Sequence, residues 1–301
     1  MGKIDKSTFD ALIGQGLGPR RMDYTWRDVA LYAAAVGAKP TDLPYIYEQK
    51  GELKALPTFC LLPYINSITM QPVRKCPYGP NELLSDLIVE HLGHTPNRLH
   101  MAMDLTIHGP IDAMQGTFLT EDRVDKVYDW GDKGVVGDMC QEVYNLAGNH
   151  IATLHSLHYH AAMGNFGGEP FKSNKLPYPD RDPDFVIEDY IAENQAILYR
   201  LCGDTYNVHI DYEIAQGYGY KKPFMQGLGT YGFTTRMLIQ QLIPYQPERV
   251  THISAQFRSV CFPGQTVRAQ VWKVEDGVAY FRLKSEDGTT LLDNGLFEYK
   301  H

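Results

Sequence analysis

Asp204 and His209 flank a four-residue polar turn that follows Gly203, a spacing that lets a carboxylate and an imidazole face one cavity. These are the two commonest proton-transfer groups near neutral pH, and the carboxylate is expected to raise the His209 pKa toward the working range. No nucleophile accompanies them. The chain has no Gly-x-Ser-x-Gly elbow, and Cys202 points elsewhere if the preceding helix runs through it, so a covalent triad is not expected and the pair is suited to activating water. Gly227-Leu228-Gly229 opens the next helix, where free backbone N–H groups and the helix dipole can receive a developing negative charge. Water activation beside such a site fits addition to, or elimination from, a double bond conjugated to a carbonyl. It fits hydrolysis equally.

Plainer readings stand beside these. An Asp after a helix-ending Gly is often only a cap, and a single His in a turn is often a structural group. The run Gly227-x-Gly229-x-x-Gly232 matches a dinucleotide fingerprint, but Tyr220-Lys221-Lys222-Pro223-Phe224 is no buried strand and antiparallel hairpins follow it. His155, His158 and His160 share one strand, with His158 and His160 on one face and no Cys, Asp or Glu ligand near them in sequence, so no metal site is expected.

The elements that must position these groups follow from periodicity. Thr25 caps a helix over residues 26–36, with Asp28 at the third position and Gly37 as the stop. Residues 39–96 read as loops and short helices, with an amphipathic piece at 82–91. Strands follow at 99–107, 135–145 and 150–160, the last two joined by the turn Ala147-Gly148-Asn149. A Gly- and Pro-rich connector covers 164–184. Beyond it the pattern predicts helices at 189–202 and 230–242, then strands at 253–261, 266–274, 278–285 and 290–299, the last three divided by Glu275-Asp276-Gly277 and Asp287-Gly288.

An offset of 166 places Tyr24 on Tyr190, Gly37 on Gly203 and Pro57 on Pro223 without a gap, which predicts a duplicated unit. Asp204 then falls on Ala38, His209 on Leu43 and Gly227 on Leu61. Only the second copy carries the polar set. The organisation read from this is a first half at 1–163 lacking the motif, a linker at 164–184, and an active half at 185–301.

The whole chain sets wider bounds. Its 301 residues, 44% apolar and 21% charged, describe a globular protein with a real core, and no apolar run approaches the ~18 residues of a membrane span. A net charge of −8 argues against a nucleic-acid partner, while Lys221 and Lys222 still allow an anionic small molecule. The five cysteines are odd in number and scattered, as reduced thiols are, and the polar start lacks a signal-peptide core, so a cytoplasmic location is expected.

The segment Tyr199-Arg-Leu-Cys-Gly-Asp-Thr-Tyr-Asn-Val-His-Ile-Asp211 resembles the signature of the MaoC-like (R)-specific enoyl-CoA hydratases, or hydratase 2, which reads Y-R-L-S-G-D-x-N-P-L-H-I-D. The likeness continues through Lys222-Pro223 to Phe233, Phe262 to Thr266, Asn165 to Gly168, Tyr24 to Ala38 and Leu56 to Phe59, nearly the whole chain. The resemblance implies an α+β double hot-dog fold, two long helices each wrapped by an antiparallel sheet. It implies Asp204 and His209 as the pair activating water across a trans-2-enoyl-CoA to give a (3R)-hydroxyacyl-CoA, and the Gly227 amide as receiver of the thioester oxygen. Coenzyme A enters only as part of the substrate, with no cofactor or metal. Three positions depart from the pattern: Tyr206 and Asn207 replace the family's Asn and Pro, and Gln226 replaces its His. Tyr206 is expected to donate a hydrogen bond in the amide's place or to fill space and change the substrate. Asn207, Gln226, Gly229 and Lys222 are the expected substrate contacts, and a homodimer is the expected assembly. Acyl-CoA thioester hydrolysis and non-catalytic acyl-CoA binding remain alternatives at this stage.

Overall fold

The computed structural model describes residues 5–50, 52–66 and 80–301. Its strands are β1 (Arg20–Thr25), β2 (Arg98–Ile107), β3 (Gln115–Asp129), β4 (Val135–Asn145), β5 (His150–His160), β6 (Glu169–Pro170), β7 (Phe185–Ile191), β8 (Val250–Phe257), β9 (Gln265–Glu275), β10 (Val278–Lys284) and β11 (Thr290–Tyr299). Its α-helices are α1 (Lys6–Asp10), α2 (Trp26–Ala35), α3 (Leu43–Ile46), α4 (Leu62–Asn66), α5 (Asn81–Leu92), α6 (Gln195–Leu201), α7 (Tyr212–Gly217) and α8 (Gly227–Leu242).

All strands join one sheet in the order β1-β3-β4-β5-β2-β8-β11-β10-β9-β7, with β6 pairing off β3. Outward from its centre, β2-β5-β4-β3-β1 on one side repeats as β8-β11-β10-β9-β7 on the other. The centre is an antiparallel pair in which Asp104 faces Ser254. The offset of 166 carries β1 onto residues 186–191, within β7, and α2 onto 192–201, where α6 lies.

Local chemistry explains the boundaries. The Asp28 carboxylate accepts from the Thr25 backbone N–H and hydroxyl, closing the first turn of α2. Gly37 ends that segment at φ 88°, and a side chain there would meet the Phe233 ring at 2.2 Å. The helix expected at 189–202 is shorter, because residues 185–191 pair as a strand with β9 and the helix begins only at Gln195. Phe185, Ile187 and Ile191 alternate with Val186, Glu188 and Tyr190, and the edge of β9 selects that period of two. The helix expected at 230–242 starts three residues earlier, at Gly227. The strand expected at 253–261 runs from Val250 to Phe257, and Cys261 instead bridges Met225. Strands β1, β3, β6 and β7 lie outside the expected strands; β6, inside the Gly- and Pro-rich connector, pairs with the end of β3 over two residues only. Part of the irregular stretch, 67–79, and Cys76 lie outside the described residues; Cys60, Cys140, Cys202 and Cys261 are buried and free.

Helix α8 is the core of the second half. Every residue from Leu228 to Ile239 is buried, and the Tyr231 hydroxyl donates to the Ile253 carbonyl of β8. A helix buried on nearly all sides must be wrapped, and here the sheet wraps one side while α2 and residues 57–61 cover another. The close approach needs glycine: a side chain on Gly232 would lie 2.6 Å from the Tyr32 hydroxyl oxygen. Polar clips fix the same contact. The Arg236 guanidinium on α8 donates to the Val36 carbonyl and pairs with Asp189, which also holds Lys39 at 2.5 Å. The Gln195 amide donates to the Ala34 and Ala35 carbonyls at 2.8 and 2.7 Å, capping α2 from the start of α6.

The connector lies extended across the outer sheet face. Leu176 N–H donates to Asn294 Oδ1, and the Tyr178 hydroxyl donates to the Phe281 carbonyl. Its Pro and Gly content forbids a helix but not firm anchoring.

Candidate active site

Helix α6 ends at Leu201, Gly203 turns the chain, and Asp204 then points inward, 2% exposed. A 3-10 turn, Asn207–His209, returns His209 to the interior at 5% exposure. The His209 Nδ1–H donates to the Phe224 carbonyl at 2.8 Å, which leaves Nε2 carrying the lone pair. Two ring edges hold the imidazole: Phe224 meets it T-shaped at 5.0 Å between centroids and Tyr206 at 5.9 Å.

Burial controls the protonation of both groups. It pushes the Asp204 carboxyl above the usual carboxylate range, against the opposing pull of His209, the Tyr206 amide and Arg200. It also holds His209 below the ordinary imidazole value, outweighing the opposite effects of Asp204 and the Phe224 carbonyl. This corrects the expectation from spacing, in which the neighbouring carboxylate alone raised the His209 pKa. Burial thus shifts the carboxyl up and the imidazole down, each against the coulombic pull of the other.

Gly227 is the first residue of α8 and is exposed. The first intrahelical bond runs from the Thr230 N–H to the Gln226 carbonyl, and the Gln226 side chain makes no capping bond to the helix start. The amides of Gly227, Leu228 and Gly229 are therefore the open positive end of a sixteen-residue helix.

The other expected contacts have specific places. The Tyr206 backbone N–H donates to Asp204 Oδ1 at 3.2 Å, while its hydroxyl bonds the Tyr218 hydroxyl at 3.2 Å. Tyr206 thus supplies a hydrogen bond to the carboxylate from its main chain, and its ring covers His209. Asn207 is exposed, and its carbonyl accepts from Ile210 and Asp211. Gln226 is fully buried, with its amide donating to the Ala196 carbonyl, so it ties α8 to α6. A side chain on Gly229 would sit 3.1 Å from the Tyr199 ring, so this glycine serves helix packing. Lys222 Nζ donates to the Pro263 carbonyl at a groove of about 260 Å³ that Lys221, Phe262 and Asp287 also line. Cys202 donates its thiol back to the Leu198 carbonyl, and burial pushes it up to about 12, so it is no nucleophile.

The histidines of β5 divide between the faces of the sheet. His155 lies outside with Asp125 and Asp138, acidic neighbours that strand pairing brings beside it and sequence spacing hid. Asp138 holds it at 3.0 Å and raises it to about 10, which makes it the cation of an ion pair. His158 and His160 lie inside, neutral through burial.

Two family models divide the chain between them: a MaoC-like domain matches residues 174–294, and the N-terminal domain of the multifunctional-enzyme hydratase 2 matches residues 22–158. A 3-hydroxyacyl-thioester dehydratase Y of Mycobacterium tuberculosis is 31% identical over 95% of this chain and 97% of its own length. A Dictyostelium discoideum protein named "probable enoyl-CoA hydratase 2" is 28% identical over 95% of this chain and 94% of its own. The chain belongs to the MaoC-like enoyl-CoA hydratase 2 family. It is a family of hydro-lyases. Among solved structures, a MaoC-like dehydratase from Phytophthora capsici superposes with a TM-score of 0.83 at 28% identity, covering 97% of this chain and 98% of that one. An M. tuberculosis protein described as having a double hot-dog fold superposes at 0.56, with 12% identity and 97% of this chain and 97% of that one covered. The fold is the double hot-dog.

Proposed function

We propose that this hydratase 2 family member adds water reversibly to a trans-2-enoyl-CoA, forming a (3R)-hydroxyacyl-CoA, with Asp204 and His209 sharing the water. The observation that carries this reading is the buried Asp204–His209 pair on the turn preceding the start of α8, with the His209 tautomer set by Phe224. The Gly227 end of α8 receives the thioester oxygen, so charge that builds there as the nucleophile adds is met by fixed amide dipoles. As the water oxygen bonds to C3, one of its protons passes to the pair. The pair returns a proton to C2 on the same face, and the other water hydrogen stays on the new hydroxyl. In this reading the second half, residues 185–301, carries the chemistry, the first half supplies the acyl environment, and Lys221 and Lys222 are the cations offered to coenzyme A phosphates.

Incubating the protein with trans-2-enoyl-CoAs of several lengths, while following both the conjugated absorbance and free thiol, tests this. The expected result is loss of the enoyl band, a (3R)-hydroxyacyl-CoA product and no thiol. Thiol release without a hydroxyacyl product would replace hydration by thioester hydrolysis.

A further inference from the structure

The chain between His209 and the start of α8 folds back on the candidate site. Asp211 opens α7, its side chain accepting from the Ile214 N–H at 3.1 Å and its own N–H donating to the Asn207 carbonyl at 2.8 Å. Beyond the helix, Gly219 at φ 84° reverses the chain. Three backbone bonds fasten that turn to α7: Tyr218 N–H to the Ile214 carbonyl at 3.2 Å, Gly219 N–H to Gln216 at 2.9 Å and Tyr220 N–H to Ala215 at 3.0 Å. Ala215 is fully buried, which anchors the helix from beneath.

The turn sets two tyrosines, one on each side of Gly219, behind the two rings that contact His209. The Tyr218 hydroxyl accepts from the Tyr206 hydroxyl at 3.2 Å, and the Tyr206 ring meets the imidazole edge-on. The Tyr220 ring lies against Phe224 at 4.5 Å between centroids. Phe224 meets the imidazole with its ring and accepts the Nδ1–H with its carbonyl. Contacts therefore run in a closed circuit, Tyr218 to Tyr206 to His209 to Phe224 to Tyr220, whose ends are joined through Gly219. An imidazole bonded through one nitrogen can still pivot about that bond, while proton transfer needs Nε2 held to within ~0.5 Å. The circuit supplies the missing constraint.

We infer that Tyr218 and Tyr220 are positioning residues for His209, acting on it through Tyr206 and Phe224. The inference rests on the hydration reading for its effect on rate, and on the imidazole itself for the rest. The two inner rings also keep water from the imidazole, which burial holds below its ordinary value. The Asp204 carboxyl and the Tyr206 phenol are the titratable groups against it, and Arg200 acts on Asp204. Tyr218 is 63% exposed, and a bond between hydroxyls this near water adds little to folding, so its removal separates positioning from stability.

Kinetics with crotonyl-CoA compare Tyr218→Phe, which removes one hydroxyl, Tyr220→Ala, which removes a ring, and Tyr220→Phe, which keeps it. Tyr218→Phe should lower kcat by about two- to tenfold, the worth of one hydrogen bond, with KM and the urea midpoint unchanged. Tyr220→Ala should lower kcat by on the order of tenfold or more, and Tyr220→Phe should recover it. Nitrogen-15 NMR of the substrate-free, histidine-labelled protein reads the imidazole directly, its signals assigned by their loss in His209→Gln. The parent should show the Nδ1–H tautomer and a pKa below 6.5. In Tyr218→Ala and Tyr220→Ala the tautomers should mix and the pKa should rise toward 6.5 as water reaches the ring. His209 signals unchanged in both alanine variants would overturn the inference, as would a loss of kcat that tracks loss of stability and is not recovered by Tyr220→Phe. A parent that hydrates no enoyl-CoA, but whose alanine variants shift the His209 signals as expected, would end the hydration reading and leave the positioning of His209 standing.

Discussion

At the scale of single residues, the site trades stability for reactivity. Asp204 has a folded pKa above its unfolded value, so the folded state binds that proton more tightly, and this group's contribution to stability falls as pH rises from 3.8 through the raised value. His209, lowered, opposes folding as pH falls below 6.5. Removing the Asp204 charge should relieve the first penalty. We expect Asp204→Asn to be more stable than the parent at pH 7 by roughly 1 kcal/mol, measured by urea unfolding. Equal or lower stability would mean that the carboxylate is better solvated than its burial implies. The raised carboxyl sets the pH profile: kcat/KM should fall on an acid limb that lies above 3.8, as Asp204 protonates. A limb at or below 3.8 would show that Asp204 is not perturbed.

At the scale of elements, the start of α8 is the part whose chemistry and structure separate most cleanly. Proline is accepted at the first position of a helix, where its missing N–H breaks no intrahelical bond, and Gln226 already has the extended conformation, ψ 140°, that a following proline requires. Gly227→Pro should therefore fold and retain helix content by circular dichroism while losing about 10²–10³ in kcat, the usual cost of one oxyanion donor. Unchanged kcat would move the thioester oxygen away from this amide. Much at this scale was legible in the sequence. The Thr25–Asp28 cap, the turn after Gly203 and the glycines that open α8 are local signals that need no tertiary knowledge. Strands β1, β3 and β7 were not legible. In β3 the run Thr120-Glu-Asp-Arg-Val-Asp-Lys126 is polar because much of it faces outward, and β7 alternates over too few residues to exclude a helix until β9 pairs with it. The direction of the His209 shift was hidden for a related reason: spacing shows a neighbouring carboxylate but not the depth of burial.

For the whole molecule, the pseudo-symmetric sheet and the helix clips make the two halves one folding unit. Arg236 is 5% exposed; it pairs with Asp189 of β7 and donates to the Val36 carbonyl at the end of α2, and Asp189 also holds Lys39 just beyond α2, so this cluster joins the two halves. Breaking one side of such a pair leaves an uncompensated buried charge. Asp189→Ala is expected to cost about 3 kcal/mol and lower the urea midpoint in a single transition. Two separate transitions would show halves that unfold independently. The repeated register was visible in sequence through Gly37 and Gly203, and through Pro57 and Pro223. Alternation put His158 and His160 on one inner face of the first half but could not show that Tyr64 and His100 bond Ser156 there, at 3.2 and 2.8 Å.

Turnover of a trans-2-enoyl-CoA by Asp204→Asn tests the central claim most directly. The substitution keeps the shape of the side chain and removes its negative charge. With the fold verified by circular dichroism, hydration should fall by about 10²–10⁴, the contribution of a positioned proton-transfer group. Hydration at the parental rate would contradict the assignment of the water to Asp204 and His209.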